Sequence, residues 1–130
     1  MLRILLVDDN AMARAAIKAA LQRHLEWVVV GEACSGPEAL ETFRRQRPEI
    51  TVMDFLMPEM NGLEAARRLK ERNPDALILM ITTDPSIQLQ EEARSVGISG
   101  VCAKGEMDGL ESAVDAVIHG RTFFRKKAAA

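Results

Sequence analysis

The chain has 130 residues, of which 48% are apolar and 28% charged, and its net charge is −2 at neutral pH. That length suits one domain with a sizeable core, and the balance excludes a disordered chain. The slight acidity excludes the basic footprint of a nucleic-acid-binding domain, and no run approaches the ~20 apolar residues of a membrane span.

The first apolar run covers residues 4–7 and is followed at once by Asp8 and Asp9. A secretory segment does not end in this way, so a cytoplasmic chain is expected. Ile17, Ala20, Leu21 and His24 then mark one face of a helix. A second run, 28–30, precedes Ser35 and Glu38, which have the spacing of a capping box opening a helix with Ala39, Leu40 and Phe43 inward. The third run, 50–53, leads into Asp54. Asn61 and Glu64 repeat the capping-box spacing before a helix whose inner face carries Leu63, Ala66 and Leu69. The fourth run, 77–81, is followed by Thr82 and Thr83. Asp84 and Pro85 read as an N-cap and first helical position, with Leu89, Ala93 and Val96 inward and Gly97 as the terminating glycine. The last run, 101–103, leads into Lys104, and Leu110, Ala113, Val114, Val117 and Ile118 stripe a final helix closed by Gly120.

The apolar runs are continuous rather than alternating, as in strands covered on both faces, and they alternate with helices five times. The expected fold is therefore α/β: a doubly wound, five-stranded parallel (βα)5 sheet with the flavodoxin-like order 2-1-3-4-5. Residues 1–120 are expected to form the single domain, with 121–130 as a linker or tail. The basic groups Arg44 and Arg45, Arg67 and Arg68, and Arg125, Lys126 and Lys127 read as solvated helix faces and a tail. Cys34 and Cys102 match no zinc spacing and read as buried packing residues.

In an open parallel sheet, chemistry gathers outside the carboxyl ends of the strands. The order 2-1-3-4-5 makes the first and third strands neighbours, so Asp8, Asp9 and Asp54 converge on one crevice. Unrelieved, they would repel one another. A hard divalent cation such as Mg²⁺, with Mn²⁺ as a substitute, relieves this. The hydroxyls of Thr82 and Thr83 and the ammonium of Lys104 face the same crevice. Metal-binding carboxylates, a hydroxyl and a cation are the parts that phosphoryl transfer requires, and a carboxylate can itself be the nucleophile.

These residues, together with Leu56, Met57, Pro58 and Gly62 after Asp54, resemble the receiver domain of two-component response regulators over residues 2 to about 120. The resemblance implies a phosphorylation-dependent signalling switch rather than an enzyme, with only self-catalysed phosphoryl transfer and autodephosphorylation. Asp54 would accept the phosphoryl group from a sensor histidine kinase or phosphotransfer protein. Asp9, Asp54 and the Leu56 main-chain carbonyl would ligate Mg²⁺, and Asp8 would act through a metal-bound water. Thr82 and Lys104 would contact the phosphoryl oxygens.

The stretches 27–33, 96–104 and 119–124 resemble the NarL/FixJ group, whose members usually carry a C-terminal DNA-binding domain. This implies transcription regulation if the chain belongs to a longer protein, and a homodimer on phosphorylation. The receiver domain itself is not expected to bind nucleic acid or membrane. Two positions depart from the family pattern: Val101 stands where many receivers have a switch aromatic, and Gly105 where many have proline. Output is thus expected to run through the fourth helix and its loops or through dimerisation.

Adjacent rather than alternate aspartates argue against a haloacid-dehalogenase-like phosphatase. The sequence Asp8, Asp9, Asn10 would repel a flavin phosphate. A non-phosphorylated pseudo-receiver acting only by protein contacts is the alternative reading.

Overall fold

The computed structural model describes residues 1–124. It contains β1 (Leu2–Val7), α1 (Ala11–Leu21), β2 (Trp27–Ala33), α2 (Gly36–Gln46), β3 (Ile50–Asp54), α3 (Gly62–Arg72), β4 (Leu77–Thr82), α4 (Ile87–Ser95), β5 (Gly100–Ala103) and α5 (Met107–Ile118). The strands form one sheet in the order β2-β1-β3-β4-β5, and every pair is parallel. The doubly wound reading is thereby borne out.

Successive side chains of a strand face opposite sides of the sheet, and the core divides accordingly. Leu5, Val7, Met53, Ile78, Met80 and Val101 pack on the side of Phe43, Leu69 and Ala93. Ile4, Leu6, Val52, Leu79, Ile81 and Cys102 pack on the side of Ile17, Leu21, Leu110 and Val114. Continuous apolar runs are what two covered faces require. Each fully buried aliphatic side chain contributes about 1.5–3 kcal/mol relative to exposure. The exception is β2, where Val28, Val29 and Val30 are only half-buried because the strand lies at the sheet edge. Its pairing with β1 slips by one residue between Ile4 and Leu5, from Ile4 opposite Val29 to Leu5 opposite Gly31.

Helix starts follow local polar chemistry. Asn10, Ser35, Asn61 and Ser86 each accept a hydrogen bond from a backbone N–H three residues on. Ser86, not Asp84, therefore caps α4. The Asp84 carbonyl instead accepts from the Ser86 N–H, forming a tight turn ahead of the helix. The two expected capping boxes are half made: Glu38 reaches the N–H and thiol of Cys34, and Glu64 pairs with Arg67 and Arg68. Gly97 and Gly120 follow α4 and α5 at φ +92° and +80°, as terminating glycines do.

Other sequence expectations need correction. His24 lies beyond α1, exposed, with its ring stacked on Trp27 at 3.8 Å. Cys34 is exposed, whereas Cys102 is buried as expected. Burial pushes the Cys102 thiol up to about 12. The basic pairs on α2 and α3 are solvated faces, with Arg44 and Arg45 on Glu41 and Arg67 and Arg68 on Glu64. Such exposed pairs contribute only about 0.3–0.5 kcal/mol each. The basic residues 125–127 lie outside the described residues.

Candidate functional site

Asp8 leaves β1 fully buried and is fixed from several directions. Its N–H donates to the Ala33 carbonyl, its Oδ1 accepts from the Asn10 N–H at 2.9 Å, and its own carbonyl accepts from Arg14 at 2.7 Å. Asp9, next along, is exposed. Asp54 ends β3, only 3% exposed, in register with Ile81. Immediately after it, the Phe55 N–H donates to the Ile81 carbonyl and the Phe55 carbonyl accepts from the Gly62 N–H. Gly62 opens α3 against the strand end so closely that a Cβ there would lie 2.5 Å from the Asp54 carbonyl oxygen.

Lys104 follows β5, its N–H donating to the Thr82 carbonyl at 2.7 Å. Its ammonium lies 2.9 Å from Asp54 Oδ2, which accepts a hydrogen bond, and 2.9 Å from Asp8 Oδ2. The second contact is a buried ion pair, and among the described residues the ammonium is what faces Asp8 Oδ2. Carboxylate oxygens of Asp8, Asp9 and Asp54 lie within 4.8 Å of one another. Two of these three carboxylates, Asp8 and Asp54, thus share one ammonium.

The electrostatics record that imbalance. Burial pushes the Asp54 carboxyl above its ordinary range and the Asp8 charge adds to the rise, while the Lys104 hydrogen bond and the Leu56 N–H only partly oppose it. Burial works against the Lys104 charge, but its bonds to Asp8 and Asp54 outweigh this and raise it above the usual lysine value. An all-oxygen donor set whose three carboxylates outnumber the one ammonium beside them fits a hard divalent cation.

Asp9, Asn10, Asp54, Leu56, Met57, Pro58, Thr83 and Lys104 line an open crevice of about 470 Å³. Thr82 is buried beside it, and its Oγ1 accepts from the Asp84 N–H at 3.2 Å. It lines instead an adjoining groove with Thr83, Asp84, Ser86 and Leu89. The structure thus brings Asp8, Asp9, Asp54 and Lys104 together as the sequence implies, with Thr83 at the crevice and Thr82 one layer back. Val101 is fully buried on the α4 side of β5.

Two contributors escaped sequence reasoning. Asn10 caps α1 and lines the crevice, which an Asn directly before a helical stripe signals. Arg14 fixes the Asp8 carbonyl, a side-chain contact with no sequence signature.

A parallel sheet with buried aspartates at its switch point defines a doubly wound α/β protein built to receive a charged ligand. The family description "Response regulator receiver domain" matches residues 4–115, and the chain belongs to that family. It is a regulator and not a classical enzyme.

Among its relatives, the transcriptional regulatory protein YdfI of Bacillus subtilis is 32% identical over 124 residues, covering 95% of this chain and 58% of that protein. The response regulator UvrY of Escherichia coli is likewise 32% identical, covering 95% of this chain and 57% of UvrY. The chain therefore spans less than two thirds of either regulator. A LuxR-family two-component response regulator from Aurantimonas superposes with a TM-score of 0.91 at 32% identity, covering 93% of this chain and 87% of that one. The receiver domain of the response regulator NarL from Mycobacterium tuberculosis superposes at 0.86 and 26% identity, covering 92% and 98%. These neighbours place the chain with the NarL/LuxR group. Among the described residues no helix is long and apolar enough to cross a membrane.

Proposed function

We propose that residues 1–120 form a phosphorylation switch whose acceptor is Asp54. The observation that carries this is the buried Asp54 carboxylate, held by Lys104 and raised by burial and by Asp8. A carboxylate oxygen of Asp54 attacks the phosphorus of a phosphohistidine on a sensor histidine kinase or phosphotransfer protein. A P–O bond forms, the P–N bond breaks, and the imidazole leaves with the electron pair. The product is an acyl phosphate, and hydrolysis of its P–O bond by water resets the switch.

Asp9, Asp54 and the Leu56 carbonyl, with Asp8 through a water, would hold Mg²⁺ or Mn²⁺, which supplies charge neutralisation on the phosphoryl oxygens. Lys104 orients Asp54 through Oδ2 and is in place to take over a phosphoryl oxygen. Thr82 Oγ1 accepts from the Asp84 N–H, and its hydroxyl turns to donate its hydrogen to a phosphoryl oxygen, while Thr83 lines its entry. A phosphoryl group adds about 1.5 to 2 negative charges, enough to reward such a move.

The likeness to YdfI and UvrY supports a further reading. This domain controls transcription within a longer protein, with 121–130 as the link to an output domain and a homodimer formed on phosphorylation. The domain itself does not contact nucleic acid and works in the cytoplasm.

Incubation with Mg²⁺ and acetyl phosphate followed by intact-mass measurement tests the acceptor. The wild type gains one phosphoryl group and Asp54→Ala gains none. Lys104→Ala still gains it, because attack needs Asp54 and the metal, but it fails to switch. No gain in the wild type returns the protein to the pseudo-receiver reading.

A further inference from the structure

Beyond α5 the chain turns back onto the sheet instead of leaving it. The Arg121 N–H donates to the Ala116 carbonyl, and two residues later the backbone joins β5. The Phe123 N–H donates to the Ser99 carbonyl and the Val101 N–H to the Phe123 carbonyl, both at 2.9 Å, so Phe123 pairs in parallel with Gly100. An edge strand left open is a template for pairing with other chains, and here the protein's own segment closes it.

The two phenylalanines straddle the sheet. Phe123 packs on the core that contains Cys102 and Leu110. Phe124 packs on the opposite core, which contains Val101, Leu89 and Ala93. The Arg94 guanidinium, in the last turn of α4, lies 4.1 Å from the centre of the Phe124 ring. Gly100 makes room for this arrangement: a Cβ there would lie 2.6 Å from the Phe123 carbonyl oxygen and 2.9 Å from its Cβ.

Residue 101, on the α4 side of β5, is a valine, so β5 supplies no aromatic there. The returning segment supplies one to the same core. That core reaches the groove adjoining the crevice, because Leu89 lines that groove with Thr82, Thr83 and Asp84. Helix α4 is short and buries only Leu89, Gln90 and Ala93. The described hold of the segment on β5 and α4 consists of two backbone hydrogen bonds, two rings and one cation–π contact.

We propose that residues 121–124 are a readout strap, with Phe124 as the aromatic that senses the state of Asp54. The inference rests on the phosphoacceptor reading above. When the Thr82 side chain moves in to donate to the phosphoryl group, it draws on the Asp84 N–H that it holds, and the turn at 84–86 and α4 shift. Arg94 then leaves the Phe124 ring, and the strap loosens from β5. Coupling is reciprocal, so weakening the strap must favour the phosphorylated form.

Amide hydrogen exchange on the full 130-residue chain, with Mg²⁺ and with or without beryllofluoride as the phosphoryl mimic, tests this. The Val101 and Phe123 amides are expected to exchange at least ~10-fold faster with the mimic, as a local opening does, while β2 amides stay unchanged. Asp54→Ala abolishes the difference. Phe124→Ala, and Arg94→Gln, which leaves the ring in place, should each tighten beryllofluoride binding by about 2- to 5-fold, the equivalent of one exposed cation–π contact. Unchanged exchange at Val101 and Phe123, or unchanged or weaker binding in both variants, overturns the strap even where acetyl phosphate labels Asp54. Failure of acetyl phosphate to label the wild type overturns the phosphoacceptor reading and the strap together.

Discussion

The two ends of this sheet solve the same electrostatic problem in opposite ways. At the amino end, Arg3 donates to the carbonyls of Arg47 and Gln46 at 2.7 and 2.6 Å, and its N–H donates to Glu49. The cation meets fixed acceptors, and the connection from α2 to β3 is clasped to β1. At the carboxyl end, three carboxylates cluster, only Asp8 and Asp54 share the Lys104 ammonium, and Asp54 is pushed above its ordinary range. A satisfied polar cluster stabilises a fold. An unsatisfied one stores a demand that a ligand can meet, which is why perturbed groups mark functional sites.

The sharpest way to break this contrast is Lys104→Ala. It strands Asp8 and Asp54 without a cation and should cost about 3–5 kcal/mol by denaturant titration in EDTA. Added Mg²⁺ should restore much of that loss. If it restores none, the carboxylates are not a cation site.

Arg3→Ala comes next. It removes two side-chain hydrogen bonds at the amino end and should cost about 1–3 kcal/mol while leaving acetyl phosphate labelling of Asp54 intact. A labelling defect there would erase the division between structural and functional ends.

Asp54→Asn has the opposite sign. It relieves a raised, buried carboxylate and should stabilise the metal-free protein by about 1 kcal/mol, while abolishing phosphoryl gain and weakening the stabilisation by Mg²⁺. A destabilised Asp54→Asn would mean that the site is balanced after all.

The smallest effect at neutral pH concerns Cys102, a buried group that carries no charge there. Its folded value of about 12 lies above the ordinary thiol value of 9.0. Between those values the folded state holds a proton that the unfolded state has lost. Stability therefore falls as pH rises above 9, by at most about 1.4 kcal/mol per unit, and Cys102→Ala flattens that slope. At pH 8 a maleimide should label exposed Cys34 quickly and Cys102 only after unfolding.

The sheet was legible because β1, β3, β4 and β5 are covered on both faces, and only unbroken apolar runs satisfy that. Asp54 and Lys104 were legible because each stands directly after such a run. What escaped the sequence depends on distant partners or on competing local signals. Asp84 with Pro85 reads as the cap of α4, but Asp84 is used in a turn and Ser86 takes the cap. Cys34 looked like core but sits just past β2, exposed and bonded to Glu38. Thr82 was placed at the crevice, yet its hydroxyl turns to the Asp84 N–H. The return of Phe123 onto β5 is a pairing that local periodicity does not encode.

At Gly62 there is no clearance between α3 and the backbone of Asp54. The helix is butted against the strand like a stop, its first N–H bonded to the Phe55 carbonyl. Displacement of α3 toward the sheet is therefore delivered to Asp54 without slack. The seat of Asp54 at the strand end is set by a missing methyl group, and a residue with no chemistry of its own becomes the spacer that holds it.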